Sequence, residues 1–491
     1  MTDVWLRGKR RLGLAFGLGA VVALGQAPLG FWWATLAGFA GLMLLLDRVP
    51  DRRGAFLTGL FAGAGHFALA LNWIIEPFLI DIARTGWMAP FAVVLLAFGL
   101  GLFWGGAALA ARAFANRTLG FVVAFVAMEW LRGVVLTGFP WAMAGHVWIG
   151  TPLDQVAALG GPSLLSLVTL LAAGLSVQAR WKGLLASAVV LALPLGFGLW
   201  RLAQPLPEPG VQTLRLVQPN AEQSAKWDAT RAREFLDRQL ELTAKGEVAD
   251  LTIWPETAVP YMLEYAPEVA DMIMAASGGR TVAVGIQRAE GDRFYNSVRV
   301  LEGEGVETAR YDKAHLVPFG EYIPFGDLAF RWFGLRAFAA QAGNSYSAGP
   351  GPRVLDLGPL GKVLPLICYE AIFPRDVNAA PERADWMLQV TNDAWFGTLT
   401  GPFQHFAQAR LRAVEQGLPL IRVANTGVTA VIDARGRVVD QLPFGVVAAL
   451  DTRIPGKLAP TPFSRWGDGP VFLLLAGLAL GAVARRRPSA H

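Results

Sequence analysis

The hydrophobic pattern divides the chain into two kinds of sequence. Apolar runs of roughly the ~20 residues that a helix needs to cross about 30 Å of hydrocarbon occupy 11–29, 31–47, 54–74, 88–111, 119–137, 162–179 and 183–203, and another occupies 469–484. Between the seventh and eighth runs the pattern changes to short β-rich stretches, polar helical stretches and turn signals. This predicts a multi-pass α-helical membrane domain with seven transmembrane helices over 1–203 and an extramembrane α/β domain over 204–467. An eighth transmembrane helix and a basic tail follow over 468–491. Inside the extramembrane range, strands are expected at 213–218, 251–254, 281–286, 296–301 and 307–311, then at 363–368, 386–391, 420–424 and 429–433. Helices fit 229–245, 267–277 and 402–416. Strands interleaved with helices predict a layered α/β fold, with functional groups gathered where strands end.

Composition agrees with the membrane assignment. Hydrophobic residues make up 54% of the chain and charged residues 16%, against about 25% charged in an average soluble domain. That excludes an ordinary soluble protein and a disordered one. The 43 Lys+Arg against 38 Asp+Glu give a formal charge of +5, and its distribution carries the information. Residues 204–467 hold 26 Lys+Arg and 30 Asp+Glu, whereas the remainder holds 17 and 8. The basic residues of the remainder cluster at Arg7 to Arg11, Arg48 to Arg53, Arg112 and Arg117, Arg180 and Lys182, and Arg485 to Arg487. If every run spans, all these clusters lie on one side. The positive-inside rule then puts both termini in the cytoplasm and the 204–467 domain outside it. The first run, with small residues between Ala20 and Ala27, also fits a signal peptide, which would leave the domain on the same side. The basic excess is thus a topology signal and gives no support for a nucleic-acid partner. One Cys excludes an intramolecular disulfide framework, and the five scattered His give no metal-ligand spacing, so no metal centre is expected.

In the bundle, Glu129 and Arg132 stand at i and i+3, as a functional intramembrane pair or an ordinary intrahelical one. Gly138-Phe139-Pro140-Trp141 reads as an interfacial loop with an aromatic anchor. Four segments of the 204–467 range carry possible chemistry. Trp254-Pro255-Glu256 sets a carboxylate just after an apolar strand, although a Glu there is often solvated or a helix cap. In Tyr311-Asp312-Lys313-Ala314-His315-Leu316-Val317-Pro318-Phe319-Gly320-Glu321, a Lys follows a strand and a Glu comes eight residues later across a Pro/Gly loop; a charged loop and a rigid binding loop both fit. Val363 to Glu370 ends an apolar strand in the sole Cys, Cys368. An inert core Cys is the commoner fate, but an unpaired thiol outside the cytoplasm is an oxidation liability and a strand exit suits a nucleophile. Thr391 to Gly397 again runs from strand to loop, followed by His405 and the Arg412/Glu415 pair on a helix. Glu, Lys and Cys at three strand ends form a coherent set. A carboxylate can take the thiol proton, and an ammonium can hold that carboxylate ionised and stabilise an oxyanion.

On these residues the chain resembles the nitrilase-like carbon–nitrogen hydrolase superfamily, and within it the membrane-bound branch, the apolipoprotein N-acyltransferase family. The resemblance runs along essentially the whole chain. Its motifs are Trp254-Pro255-Glu256, Tyr311 through Tyr322, Ile367-Cys368-Tyr369-Glu370, Thr391 to Gly397, and Arg422-Val423-Ala424-Asn425-Thr426-Gly427. Leu418 departs from it, since a basic residue is common there. The resemblance implies an αββα sandwich in which Glu256 is the general base, Lys313 its electrostatic partner and Cys368 the nucleophile. Glu321 would orient Lys313, Tyr369 would offer a backbone N–H to the oxyanion, Glu370 would be a further essential position, and Trp227 would line the substrate entrance. Tyr295-Asn296 fits a weaker position with no role attached. The implied reaction moves an acyl chain from a phospholipid to Cys368 as a thioester, then to the N-terminal amine of a diacylated apolipoprotein. No metal or organic cofactor is implied. The implied location is the bacterial inner membrane, with the catalytic domain on the periplasmic side, and the partners are the phospholipid donor, the apolipoprotein acceptor and the bilayer. The aromatic stretch 325–340 is expected to be a mobile arm dipping into lipid. A membrane-tethered amidase or nitrilase using water as acceptor is the alternative; a transporter or lipid-binding scaffold would leave the Glu/Lys/Cys alignment unexplained.

Overall fold

The computed structural model describes residues 8–222, 229–259, 261–324 and 345–484. Trp227, the 325–340 stretch and the basic residues 485–487 lie outside the described residues. The chain divides into two compact units: Met1–Gln204 with Leu399–Leu411 and Pro460–His491, and Pro205–Thr398 with Arg412–Ala459. Residues 399–411 and 460–467 fall inside the predicted extramembrane range but group with the helical unit. Buried Gln404 gives one reason. Its Oε1 accepts the indole N–H of Trp141 at 2.7 Å and of Trp73 at 3.3 Å, and its Nε2 donates to the Ala70 carbonyl at 3.0 Å.

Each apolar run contains a helix: Gly8–Ala23, Trp32–Asp47, Arg52–Ala70, Ala89–Ala110, Arg117–Arg132, Ala157–Ser176, Trp181–Ala203 and Gly469–Ala484. Among the described residues, Ile82–Ala113, Pro152–Ser176 and Trp181–Ala203 are long and apolar enough to cross a membrane. A fourth span is reached if Arg52–Ala70 and Asn72–Leu79, bent by 66°, count as one. Four of the other helices have 16 residues each, about 24 Å at 1.5 Å per residue. The fifth run stops short because Gly133 follows Arg132 as the helix cap, and Gly138 at φ +76° and then Pro140 turn the chain away.

Trp141 is not an interfacial anchor. It is fully buried, stacked on His405 with ring centroids 5.8 Å apart, because the loop carrying it is drawn inward by charge. Arg132 Nη1 donates to the carbonyls of Phe139 and Trp141, the latter at 2.8 Å. Glu129 Oε1 accepts the Ala144 N–H at 2.8 Å, and His66 Nε2 lies 3.0 Å from the Ala142 carbonyl. Glu129 and Arg132 do pair, at 3.9 Å.

In the α/β unit the described residues form two six-stranded sheets. The strands, in chain order, are β1 (Thr213–Gln218), β2 (Leu251–Ile253), β3 (Thr281–Glu290), β4 (Arg293–Glu302), β5 (Val306–Asp312), β6 (Leu355–Asp356), β7 (Lys362–Ile367), β8 (Trp386–Thr391), β9 (Leu420–Ala424), β10 (Thr429–Ile432), β11 (Val438–Leu442) and β12 (Ala448–Arg453). One sheet runs β12-β1-β2-β3-β4-β5 and the other β11-β10-β9-β8-β7-β6. Each has three parallel strands (β1-β2-β3 and β7-β8-β9) flanked by antiparallel ones, and the two sheets pack together. The parallel strands are mostly apolar and almost wholly buried, as covered parallel strands must be, with Arg215, Gln218, Gln389, Thr391 and Arg422 among the buried polar exceptions. Helices Ala229–Ala244 and Pro267–Ala276 cover the first sheet around a core that includes Leu236, Trp254, Ile273 and Val284. β3 and β4 extend beyond the expected ends because they continue as a hairpin, Glu290 opposite Arg293. β6, β11 and β12 are additions that the apolar pattern does not reveal, being short or largely solvent-facing.

Candidate active site

The carboxyl ends of the strands bring the chemical residues together within the α/β unit. Glu256 follows β2. Its backbone crosses β3 at Gly285, where a Cβ would lie 2.2 Å from the Pro255 carbonyl oxygen, so only glycine admits the crossing. Glu256 Oε1 accepts Asn296 Nδ2 at 2.7 Å and Oε2 accepts the Asn392 N–H at 2.8 Å. Lys313 is the first residue after β5, with its N–H tied to the Asn296 carbonyl at 2.8 Å. Its side chain is 1% exposed, and Nζ lies 2.9 Å from Glu321 Oε2 and 3.9 Å from Glu256 Oε1. Burial pulls the ammonium down, and the charges of Glu321 and Glu256 outweigh it, so Lys313 is held above its ordinary range as a permanent cation.

Cys368 follows β7 at φ +50°, a left-handed conformation that a non-glycine residue keeps only when its surroundings over-determine it. It opens a tight turn, Cys368–Ile372. Its thiol lies under the charges of Glu256 and Lys313 and hydrogen-bonds the Thr391 side chain. Burial first, then the Glu256 carboxylate, push the thiol well above its ordinary value against the opposing pull of Lys313 and Thr391. The resting side chain is therefore a neutral thiol beside a hydrogen-bonded carboxylate, an arrangement able to activate a sulfur nucleophile by proton transfer.

The remaining sequence candidates take different places. Glu321 grips Lys313 through Oε2 and shares Asn296 Nδ2 through Oε1 at 3.1 Å. Glu370 lies outside that cluster and ties two segments together. Its Oε1 accepts Tyr311 O–H at 2.7 Å and the N–H groups of Ala314 and His315 at 2.8 and 3.1 Å. Its Oε2 accepts the Ile367 N–H at 2.7 Å. The strand exit carrying Lys313 is thus fastened to the strand exit carrying Cys368. Tyr369 is buried with its ring edge-on to Phe373, centroids 4.9 Å apart. Arg412 and Glu415 pair at 2.7 Å on their helix, and His315 pairs with Asp376 at 2.6 Å. Among the described residues no group of three or more His, Cys, Asp or Glu is arranged to hold a metal ion.

Three contributors lack a role in the sequence reading. Asn296 bridges the two carboxylates, the Asn392 backbone holds Glu256, and Thr391 touches the thiol. The available signal was polarity out of pattern: Gln389, Thr391, Asn392 and Asp393 interrupt or end β8 although every residue of that strand is buried.

Two sheets of this order, with polar groups at the ends of their parallel strands, define a carbon–nitrogen hydrolase domain, and residues 213–451 match the carbon–nitrogen hydrolase family. Residues 18–175 match the apolipoprotein N-acyltransferase N-terminal domain. The chain is 39% identical to the apolipoprotein N-acyltransferase of Caulobacter vibrioides over 96% of its own length and 94% of that protein's. It is 39% identical to the one of Allorhizobium ampelinum (91% and 92% covered) and 36% identical to the one of Rhizobium meliloti (97% and 95%). The chain belongs to the apolipoprotein N-acyltransferase family.

Proposed function

We propose that this protein moves an acyl chain from a membrane phospholipid to the N-terminal amine of the diacylglyceryl-cysteine of apolipoproteins, by two transfers through Cys368. In the first, Glu256 takes the thiol proton, the sulfur attacks the ester carbonyl, and the collapsing intermediate expels a lysophospholipid whose oxygen takes that proton. In the second, the amine attacks the thioester, Glu256 takes the amine proton, and the sulfur leaves and recovers it as a thiol. The Lys313 ammonium and the Tyr369 backbone N–H stabilise the oxyanion in both. Glu321 keeps Lys313 in place, and Glu370 fixes the two strand exits. The observation that carries this reading is a buried thiol at φ +50° beside a Glu–Lys–Glu cluster, in a chain whose other half is apolar helices.

Both substrates are anchored in lipid, which accounts for the helices. The topology that fits the charge distribution has eight spans and cytoplasmic termini in the inner membrane, with the catalytic domain, 204–467, in the periplasm. No metal or cofactor enters the scheme. Incubating the purified protein with acyl-labelled phospholipid tests it. Hydroxylamine-sensitive label is expected on the wild type and none on Cys368→Ala, and a diacylated lipopeptide should then remove the label as an amide. Release of free fatty acid without lipopeptide acylation would make the protein a hydrolase, and an unlabelled wild type would defeat the scheme.

A further inference from the structure

Two sequence motifs have no part in that scheme beyond the Asn392 backbone's hold on Glu256, Thr391-Asn392-Asp393 and the run from Arg422 to Gly427, and Arg422 and Asp393 join them beside Cys368. The Arg422 guanidinium on β9 is fully buried. Its Nη1 donates to Gln389 Oε1 at 2.6 Å, its Nη2 to Asp393 Oδ2, and its Nε to the Val428 carbonyl at 3.1 Å. Gln389 Nε2 donates to the Cys368 carbonyl at 3.1 Å. The Thr391 hydroxyl donates to Asp393 Oδ1 at 3.0 Å and hydrogen-bonds the Cys368 side chain. The contacts close into a ring, from the Cys368 carbonyl through Gln389, Arg422, Asp393 and Thr391 to the Cys368 sulfur. Thr391, Gln389, Asp393 and Arg422 are all at 0% exposure. Gly427 belongs to the same construction, since a Cβ there would lie 2.1 Å from Asp393 Oδ2.

A buried ion pair is weak evidence for stability, because apolar residues of the same volume often serve as well or better. Here the pair grips, through Gln389 and Thr391, both ends of one residue in a strained conformation. We propose that Thr391 acts directly, and Arg422 acts through Gln389 and Asp393, as positioning residues for the Cys368 sulfur. They fix its conformation and supply the hydroxyl that receives negative charge when the thiol proton departs. The proposal rests on Cys368 being the nucleophile. In the resting state the Thr391 proton points to Asp393. When the sulfur gives its proton to Glu256, the hydroxyl turns and donates to the thiolate. The groups facing the sulfur are Glu256 and Asp393, which disfavour the thiolate, and Lys313 and Thr391, which favour it. Arg422 holds the Asp393 charge in check.

Because the chain has one Cys, alkylation by iodoacetamide reads this thiol alone and needs no lipid. In the full-length protein in detergent, near-isosteric Thr391→Val should slow alkylation about 10-fold near pH 8 and shift its midpoint to higher pH, the loss of roughly one hydrogen bond. Thr391→Ser should stay within about 3-fold of wild type. Arg422→Gln should be slower still, as it leaves Asp393 unopposed, and Arg422→Gln with Asp393→Asn should recover about 5-fold or more of that loss. Melting temperatures identify any variant that fails to fold, and Thr391→Val carries the test if Arg422→Gln does. A wild-type rate and pH profile in Thr391→Val would overturn the proposal, as would a double variant no faster than Arg422→Gln. A wild type that alkylates as expected but never carries phospholipid-derived label would overturn the acyl-transfer scheme and leave the ring standing.

Discussion

Each unit buries a glutamate 3.9 Å from a cation, Glu129 with Arg132 among the helices and Glu256 with Lys313 at the strand ends. All four side chains are less than one-tenth exposed, so distance and burial do not tell the pairs apart. The destination of their hydrogen bonds does. Arg132 donates to the carbonyls of Phe139 and Trp141, and Glu129 accepts the Ala144 N–H; that pair holds a loop. Among the described residues the Lys313 ammonium, with three donors, hydrogen-bonds to Glu321 alone, and both acceptors of Glu256 are oriented by neutral asparagine groups. That pair keeps a donor for charge that develops during reaction. A buried charge pair is therefore a structural element or a chemical one according to where its hydrogen bonds go and not to how many it leaves unmade, since Arg132 Nη2 and Glu129 Oε2 have no hydrogen-bond partner either.

The same substitution in each pair puts the difference to the test, and its largest effect is expected at Glu256. Glu256→Gln removes the proton acceptor, so acyl-enzyme formation from phospholipid should fall about 10³-fold. The carboxylate also holds the Cys368 thiol up. Without it the thiol titrates lower, more thiolate is present at any given pH, and iodoacetamide should alkylate Cys368 several-fold faster than in wild type. The two rates should move in opposite directions. Parallel loss of both would mean that Glu256 only supports the fold around the thiol.

The contrast between the pairs was half legible in the sequence. Glu256, Lys313 and Cys368 stand out because a charged or reactive residue directly follows an apolar strand, and strand ends are where such folds display side chains. The i, i+3 spacing of Glu129 and Arg132 likewise reveals their pairing. Hydrogen-bond partners drawn from distant segments do not show in a linear pattern. Trp141 looked like an anchor because aromatic residues beside Gly-Pro loops commonly sit at membrane interfaces, and only the Arg132 contacts, 7 and 9 residues away, and Gln404, 263 residues away, draw it inside. Asn296 and Arg422 were visible as motif residues but their roles were not, for the same reason, since a polar residue on a strand acquires its role from the neighbouring strands. Strands with one face solvated, such as β11 and β12, fall below the threshold of a search for apolar runs.

Asn296 sharpens the comparison at an intermediate scale. One amide nitrogen spans Glu256 Oε1 and Glu321 Oε1, holding two like charges around a single Lys. Asn296→Ala should leave both carboxylates short of a donor and slow acyl-enzyme formation per folded molecule about 10-fold. The melting temperature in detergent separates this from a loss of folded protein. A wild-type rate per folded molecule with a lower melting temperature would reduce Asn296 to a packing residue.

The smallest effect on chemistry is expected at Glu129→Gln. The amide preserves the shape of the side chain and an acceptor for the Ala144 N–H, so the loop from Phe139 to Ala144 keeps most of its fastening, while Arg132 loses its counter-charge. Stability should fall by on the order of 1–3 kcal/mol, seen as a lower melting temperature in detergent. Acyl-enzyme formation per folded molecule should stay within about 3-fold of wild type, because no hydrogen bond of Glu129 or Arg132 reaches a reacting group. A loss of 100-fold or more in a protein that still melts cooperatively, an activation cost of about 2.7 kcal/mol, would show that the helical pair also serves the reaction, and the distinction by committed hydrogen bonds would fail.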